Sequence, residues 1–122
     1  WYQPKKNNQY EGKVYVIIAG PTFSASTLFC NTLKDQKNVL MVGEETGGGS
    51  YGNNGIMIPD VTLPITKVRF RLPLYRLIQF NHGPIKGNGV LPDVYVGTDY
   101  EALIERRDKK MEVVKELIFK NP

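Results

Sequence analysis

The pattern of hydrophobic and polar positions in the first third of the chain predicts a strand, a helix and a second strand. Residues 14–19 are continuously apolar and rich in β-branched side chains, as in a strand buried on both faces of a sheet. After a glycine-proline break, residues 24–35 have the spacing of an amphipathic helix. The apolar face of this predicted helix consists of Leu28, Phe29 and Leu33. Residues 38–43 form a second buried strand, so the pattern predicts a βαβ unit.

Four further segments of the chain predict shorter strands. Residues 67–72 alternate charged and apolar side chains in strict period two, the pattern of a half-exposed strand. Pro73 follows them and marks an edge, a bulge or a bend. The four predicted strands cover residues 55–59, 67–72, 74–80 and 93–96.

The C-terminal segment carries two signals for the start of a helix. Thr98 and Glu101 have the spacing of a capping box, in which each side chain satisfies a free backbone donor of the other residue. Asp108 offers a second cap ahead of a final helix. The predicted buried stripe of that helix consists of Met111, Val114, Leu117 and Ile118.

A glycine-rich segment separates the βαβ unit from the later strands. Residues 43–55 contain six glycines in thirteen positions, too many for regular structure. Long loops in compact domains are functional or disordered, and the polar residues beside these glycines favour function. Glu44 and Glu45 suggest acid–base chemistry, but the preferred interpretation is that they accept backbone N–H bonds and fix the shape of the loop.

Ser24 is the most informative position for chemistry, because it lies at the junction between a predicted buried strand and a helix. Backbone N–H groups at a helix start are unpaired and the helix dipole is positive there. An oxyanion forming beside Ser24 would therefore meet ready-made donors, including the N–H of Ala25. The alternative is that Ser24 is only an N-cap, a common role for serine.

Composition narrows the possible function classes. A chain of 122 residues with 41% hydrophobic residues and a net charge of +4 fits one globular domain. One cysteine and one histidine exclude a disulfide framework and the usual zinc sites, so no metal and no cofactor is expected. Cys30 falls within the first predicted helix, where a buried inert thiol is expected. No apolar run is long enough to span a membrane.

A cluster of basic residues raises the possibility of a nucleic-acid-binding module. The cluster consists of Arg106, Arg107, Lys109 and Lys110, together with Lys5 and Lys6. Acidic residues interleave with the four helical cations, as on an ordinary solvated helix. The chain has no phosphate-binding glycine-lysine loop and no aromatic pair placed for base stacking. We therefore predict no nucleic-acid partner.

Three stretches together resemble the C-terminal processing, or tail-specific, serine peptidases. That family also includes the tricorn core protease and the repeats of interphotoreceptor retinoid-binding protein. The matching stretches are residues 12–20 leading into Ser24-Ala25-Ser26, residues 42–49, and residues 89–96. The resemblance implies an α/β fold, the C-terminal part of a crotonase-like (ClpP/crotonase-type) peptidase core with a βαβ unit, additional strands and a C-terminal helix.

The resemblance also implies an activity and two site residues. In this family the first serine of the Ser-Ala pair is the nucleophile, which corresponds to Ser24, and the N–H of Ala25 helps to form the oxyanion hole. The expected activity is that of a serine endopeptidase acting on a peptide or protein substrate by acyl transfer. The alternative is a non-catalytic member of the same fold that binds peptides or another ligand.

The general base is the point at which the chain departs from the family pattern. One branch places a lysine in the glycine loop, but that position is Gly49 here. Other branches use an upstream histidine and a glutamate before the Gly-x-x-Pro-Asp stretch, where this chain has Lys86. Lys86 has three possible interpretations: a replacement base, a residue that binds a substrate carboxylate, or a charged loop residue without a catalytic role. The last interpretation is favoured. His82 is a second candidate base, although a histidine in a turn is more often solvent-exposed.

The missing base bears on how the chain is organised. Residues 1–122 are expected to form a single domain, the C-terminal portion of a longer catalytic domain that needs the upstream part of the same polypeptide. The isolated chain is then expected to be inactive. The resemblance also implies a location in the cell envelope or outside the cell, and the sequence leaves the oligomeric state open.

Overall fold

The computed structural model describes residues 7–79 and 87–120 and shows a mixed α/β domain. In the described residues the strands are β1 (Val14–Ile18), β2 (Val39–Gly43), β3 (Asp60–Thr62), β4 (Arg69–Arg71) and β5 (Val94–Tyr95). The helices in the same residues are α1 (Ala25–Leu33), α2 (Tyr100–Ile104) and α3 (Lys109–Lys120). Every helix in this part of the chain is too short or too polar to cross a membrane.

A parallel three-stranded sheet organises the domain. β1 and β2 pair from Val14 opposite Val39 to Ile18 opposite Gly43, and α1 connects them, so the predicted βαβ unit is confirmed. β5 extends the sheet on the other side of β2, in the order β1-β2-β5. Parallel pairing brings the C-terminal ends of β1 and β2 to one edge, where the Ser24 turn and the glycine loop begin.

The core lies on both faces of β2, because successive side chains of a strand point to opposite faces. Met41 packs with Ile18 and Cys30 on the face covered by α1. Val42 packs with Val96 and Val114 on the face covered by α3. Met41 and Val42 are fully buried, which makes β2 the centre of the fold.

The face that helix α1 buries agrees only in part with the predicted one, since Leu33 packs against the core as expected. Thr27, Cys30 and Asn31 are buried, whereas Phe29 is 59% exposed. The two polar side chains tolerate burial because they form hydrogen bonds; the Thr27 hydroxyl donates to the carbonyl of Thr22 at 3.0 Å. Hydrophobicity alone therefore identifies only part of the buried stripe of this helix.

The predicted strand at residues 55–59 is wrong, and the one at 74–80 is reduced to a single bridge within the described residues. β3 begins only at Asp60 and pairs antiparallel with β4. Beyond this hairpin, Leu72 N–H donates to the carbonyl of Pro59 and Leu74 N–H to that of Met57. A regular ladder does not continue, because Pro59 has no N–H to donate in return.

The C-terminal helices begin at a different cap from the one predicted. Asp99, not Thr98, caps α2, since its carboxylate accepts the N–H of Ala102 at 3.0 Å. That hydrogen bond lowers the pKa of the Asp99 carboxyl below its usual value. The predicted cap of the last helix is confirmed, because Asp108 accepts the N–H of Met111 at 3.0 Å.

The stripe predicted for α3 is only partly correct. Val114 is buried and Leu117 packs against the core, but Met111 and Ile118 are 42% and 47% exposed. Val113 contacts the core in their place.

Thr46 fixes the glycine loop against the segment that leads into β5. Its side chain is almost fully buried; the hydroxyl accepts the N–H of Val90 at 2.8 Å and donates to the carbonyl of Gly48 at 3.0 Å. Gly89 passes so close to the Thr46 carbonyl that a Cβ at this glycine would overlap it. The Thr46 side chain thus helps to set the path of the loop that faces Ser24.

Replacing Thr46 by valine tests this anchor, because valine keeps the shape and removes the hydroxyl. The buried N–H of Val90 would lose its partner, so we expect the free energy of unfolding to fall by about 1 to 3 kcal/mol in urea melts. The matched control is Thr62→Val, at an exposed position of β3 whose hydroxyl forms no hydrogen bond with any described residue. The control should change stability by less than about 0.5 kcal/mol. Equal effects of the two substitutions would contradict the assignment.

Candidate active site

The turn between β1 and α1 holds Ser24 in a strained conformation. The turn is closed by two hydrogen bonds, from Thr22 N–H to the carbonyl of Ala19 at 2.8 Å and from Ala19 N–H to the hydroxyl of Thr22 at 3.2 Å. Ser24 then has φ of 51° and ψ of −122°. A side chain with a Cβ rarely adopts a positive φ, so the backbone stores strain at this residue.

The Ser24 hydroxyl is exposed and does not cap the helix. Its side chain makes no cap hydrogen bond, although Ser24 occupies the N-cap position of α1. The usual structural role of a serine at a helix start is therefore absent, and the hydroxyl is left available at the surface of a cleft.

The backbone N–H of Ala25 lies beside this hydroxyl at the positive end of α1. Ala25 is the first residue of the helix, and its N–H has no partner among the described residues. This N–H can donate a hydrogen bond to a carbonyl oxygen of a ligand, and the helix dipole also favours negative charge at this end. An oxyanion can therefore be stabilised next to Ser24.

The glycine loop packs directly on the turn that carries Ser24. Gly47 N–H donates to the carbonyl of Gly20 at 3.1 Å, and Gly48 N–H donates to that of Thr22 at 3.0 Å. A Cβ at Gly47 would overlap the Gly20 carbonyl, and one at Gly48 would overlap the hydroxyl of Thr27. The approach of these two backbone segments therefore requires glycine at both positions.

Between the turn and the loop lies an open cleft of about 600 Å³. Phe23 and Tyr51 supply its aromatic walls, and Ser24 opens into it. Arg76 lines the same cleft and is its only charged group among the described residues. The cleft thus combines two aromatic rings, a serine hydroxyl and a cation.

The candidate bases are not brought to this cleft by the described part of the chain. Gly49, at the position where one branch of the family is expected to have a lysine, lines the cleft and packs on Tyr51. His82 and Lys86 lie outside the described residues. Of the residues that the structure describes, no lysine, histidine or carboxylate lines the cleft.

Both loop carboxylates have structural partners, as expected. Glu45 accepts the N–H of Gly89 at 2.6 Å, which joins the glycine loop to the segment before β5. Glu44 forms an ion pair of 2.8 Å with Lys110, which ties α3 to the end of β2. Neither side chain lines the Ser24 cleft. The preferred interpretation, that a loop carboxylate accepts a backbone N–H, is confirmed for Glu45, whereas Glu44 pairs with a lysine instead.

Burial and charge pairing account for Cys30 and for most of the basic cluster; Arg106 has no ion pair among the described residues, and Lys5 and Lys6 lie outside them. Cys30 is buried on the core face of α1, and burial raises the pKa of its thiol, which opposes formation of a nucleophilic thiolate. Arg107 pairs with Glu105 and Glu112 at 2.7 Å, and Lys110 is neutralised as described above. Within residues 7–79 and 87–120, no group of three or more potential ligands is placed to hold a metal ion.

A hydrogen-bond network that the sequence did not predict fastens the segment carrying Arg76 to α1. Asn31 donates to the carbonyl of Ser50 and to the side-chain oxygen of Gln79, both at 2.9 Å. Gln79 in turn donates to the carbonyl of Leu28 at 2.9 Å. The partners lie up to 51 positions apart in the sequence, so no local spacing indicates the network.

Comparison with known proteins places the described turn, loop and closing strand in one family. The sequence model of peptidase family S41 matches residues 2–96. Comparison with the curated proteins gives no significant match.

A solved structure shares the fold. The chain is similar to a protein from Parabacteroides merdae described as a "putative peptidase", with a TM-score of 0.61 and 22% sequence identity. The similarity covers 93% of this chain and 34% of the other, so the present chain spans about one third of that protein.

The family match contains all three stretches that carry the resemblance, from the β1 strand through the glycine loop to β5. It covers more than three quarters of the chain. The chain belongs to peptidase family S41, the C-terminal processing peptidases that its sequence resembles.

Proposed function

We propose that this chain is the nucleophile-bearing part of a serine endopeptidase, which cleaves peptide bonds by acyl transfer through Ser24. One observation carries the proposal: an exposed serine hydroxyl that makes no cap bond lies on a strained turn, beside the N–H of Ala25, which has no partner among the described residues. Strained residues at the junction of a strand and a helix are typical of exposed nucleophiles. Membership of a peptidase family supports the same conclusion.

The proposed reaction assigns one role to each group of the site. The Ser24 oxygen attacks the carbonyl carbon of the substrate and transfers its proton to a base. The N–H of Ala25 stabilises the negative charge that develops on the carbonyl oxygen. Stabilisation of this kind is usually the largest single contribution to the rate of an enzyme. The amine then leaves with a proton, and water hydrolyses the acyl-enzyme to release the acid and restore the hydroxyl.

We further propose that the base comes from the upstream part of the same polypeptide, within a crotonase-like peptidase core. The described lining of the cleft contains no group that accepts a proton at neutral pH, and Arg76 remains charged. The chain also spans only one third of the similar solved structure. The isolated 122-residue chain is accordingly inactive in this proposal. His82 and Lys86 remain the alternative bases within the chain.

The family also motivates a proposal about location. We propose that the parent polypeptide acts in the cell envelope or outside the cell, as the resemblance to C-terminal processing peptidases implies. Fractionation of cells that express the tagged parent should find it in the envelope or secreted fraction. Recovery in the cytosolic fraction alone, with no signal or lipid anchor in the parent sequence, would contradict this.

Covalent labelling tests the identity of the nucleophile. A fluorophosphonate should label the parent polypeptide at Ser24, and Ser24→Ala should abolish the labelling, because alanine has no oxygen to phosphonylate. Ser26→Ala is the matched control, since Ser26 is exposed two residues away but does not line the cleft. The control should keep the labelling, and the isolated chain should show none. A wild-type parent that resists labelling would indicate a non-catalytic, ligand-binding member of the family.

The strain at Ser24 predicts a trade-off between stability and activity. Glycine adopts the positive φ of this residue freely, so Ser24→Gly should raise the free energy of unfolding by about 0.5 to 1 kcal/mol while it abolishes the labelling. Ser24→Ala keeps the Cβ and loses no cap bond, so it should change stability by less than about 0.5 kcal/mol. Urea melts of the three proteins measure both effects. Loss of stability in both variants would instead identify Ser24 as a structural residue.

A further inference from the structure

We propose that Arg76 binds a carboxylate of the peptide substrate and so gives the Ser24 cleft a preference for acidic peptides. This inference rests on the proposed function, because it names the substrate class of the same site. Arg76 was not among the residues that the sequence motifs indicated. Its role follows from its position, its charge and its lack of a partner in the described residues.

The charge of Arg76 is not neutralised by any residue that the structure describes. Three arginines are paired: Arg69 and Arg71 contact Asp60, and Arg107 contacts two glutamates. Arg106 also has no ion pair among the described residues, but it lies outside the cleft. Arg76 has no hydrogen bond and no ion pair in residues 7–79 and 87–120. Its guanidinium therefore keeps its donors available to a ligand.

The backbone that follows Arg76 is fixed against the site. Leu77, the next residue, forms an isolated bridge with Asn53, with hydrogen bonds of 2.8 and 3.1 Å. Two residues further on, Gln79 is fastened to α1 by its side chain. Gly52 lies so close to the Leu77 carbonyl that a Cβ would overlap it. Arg76 is thus presented at the cleft by an anchored segment that contacts both the loop and the helix carrying Ser24.

The rest of the described lining carries no charge that would repel an anion. Asn53 and Asn54 contribute neutral amides, and the other lining residues are glycines, aromatic residues, Ser24 and Thr27. With no carboxylate in this lining, nothing opposes an acidic ligand group. A guanidinium presents parallel donors that match the two oxygens of a carboxylate. A bound peptide also displaces water from the cleft, which strengthens the attraction.

Two kinds of substrate group offer this carboxylate: the side chain of aspartate or glutamate, and the C-terminal carboxylate of the peptide. The chemistry of the contact is the same for both. Amidation of the peptide terminus removes only the C-terminal carboxylate, and replacement of an internal glutamate by glutamine removes only the side-chain carboxylate. The experiment therefore includes both changes.

The test uses the full-length parent and a library of synthetic decapeptides, each made in a glutamate and a glutamine version and with a free or an amidated C-terminus. We expect wild-type kcat/KM to favour one carboxylate-bearing version by about 5- to 10-fold at low ionic strength, and the preference to shrink as salt is added. In Arg76→Gln the ratio should fall to about 1. The matched control is Arg106→Gln, since Arg106 is also exposed and does not line the cleft; it should keep the wild-type ratio.

The outcomes separate this inference from the proposed function. Loss of the glutamate preference assigns the contact to a side chain, and loss of the free-terminus preference assigns it to the C-terminal carboxylate. A ratio that Arg76→Gln leaves unchanged would overturn the role of Arg76, even if Ser24 is the nucleophile. If no peptide is cleaved, fluorescence anisotropy of the same peptides on Ser24→Ala, with and without Arg76→Gln, tests the contact without catalysis. Equal binding by the two proteins would overturn it.

Discussion

The close approach of the glycine loop to the Ser24 turn is the constraint on which the rest of the site depends. Two backbone hydrogen bonds, from Gly47 and Gly48, join the loop to the turn at a distance that leaves no room for a Cβ. Thr46 fixes the loop from the other side through its buried hydroxyl. The cleft exists because these two segments are held together at the C-terminal ends of two parallel strands, where α/β folds usually build their sites.

This arrangement explains how the fold maintains a strained serine with an unused hydroxyl. A residue with positive φ lowers stability by about 1 to 3 kcal/mol, and it persists only where the surrounding structure enforces it. Here the enforcement comes from the turn bonds of Thr22, the packing of the loop on the turn, and the buried Thr27 of α1, whose hydroxyl donates to the carbonyl of Thr22. The fold thus keeps the Ser24 oxygen available for chemistry and gives up a cap bond that would have been stabilising.

The sequence predicted the elements that depend on short-range patterns and missed those that depend on distant partners. The βαβ unit and the exposed serine at its turn follow from continuous apolar runs and a glycine-proline break, and the structure contains both. The buried face of α1 was predicted only in part, because Thr27 and Asn31 are buried through hydrogen bonds that no hydrophobic pattern reveals. Arg76 was missed for a similar reason, since its place at the cleft is set by the distant partners of Leu77 and Gln79.

We propose that Ser24 attacks the substrate while the N–H of Ala25 binds the resulting oxyanion. The most direct test is a crystal structure of the parent polypeptide with a peptide boronate, whose tetrahedral adduct resembles the reaction intermediate. We expect a covalent bond from boron to the Ser24 oxygen, with one boronate oxygen about 2.7 to 3.1 Å from the Ala25 nitrogen. An adduct on another residue, or a boronate oxygen directed away from the start of α1, would contradict it.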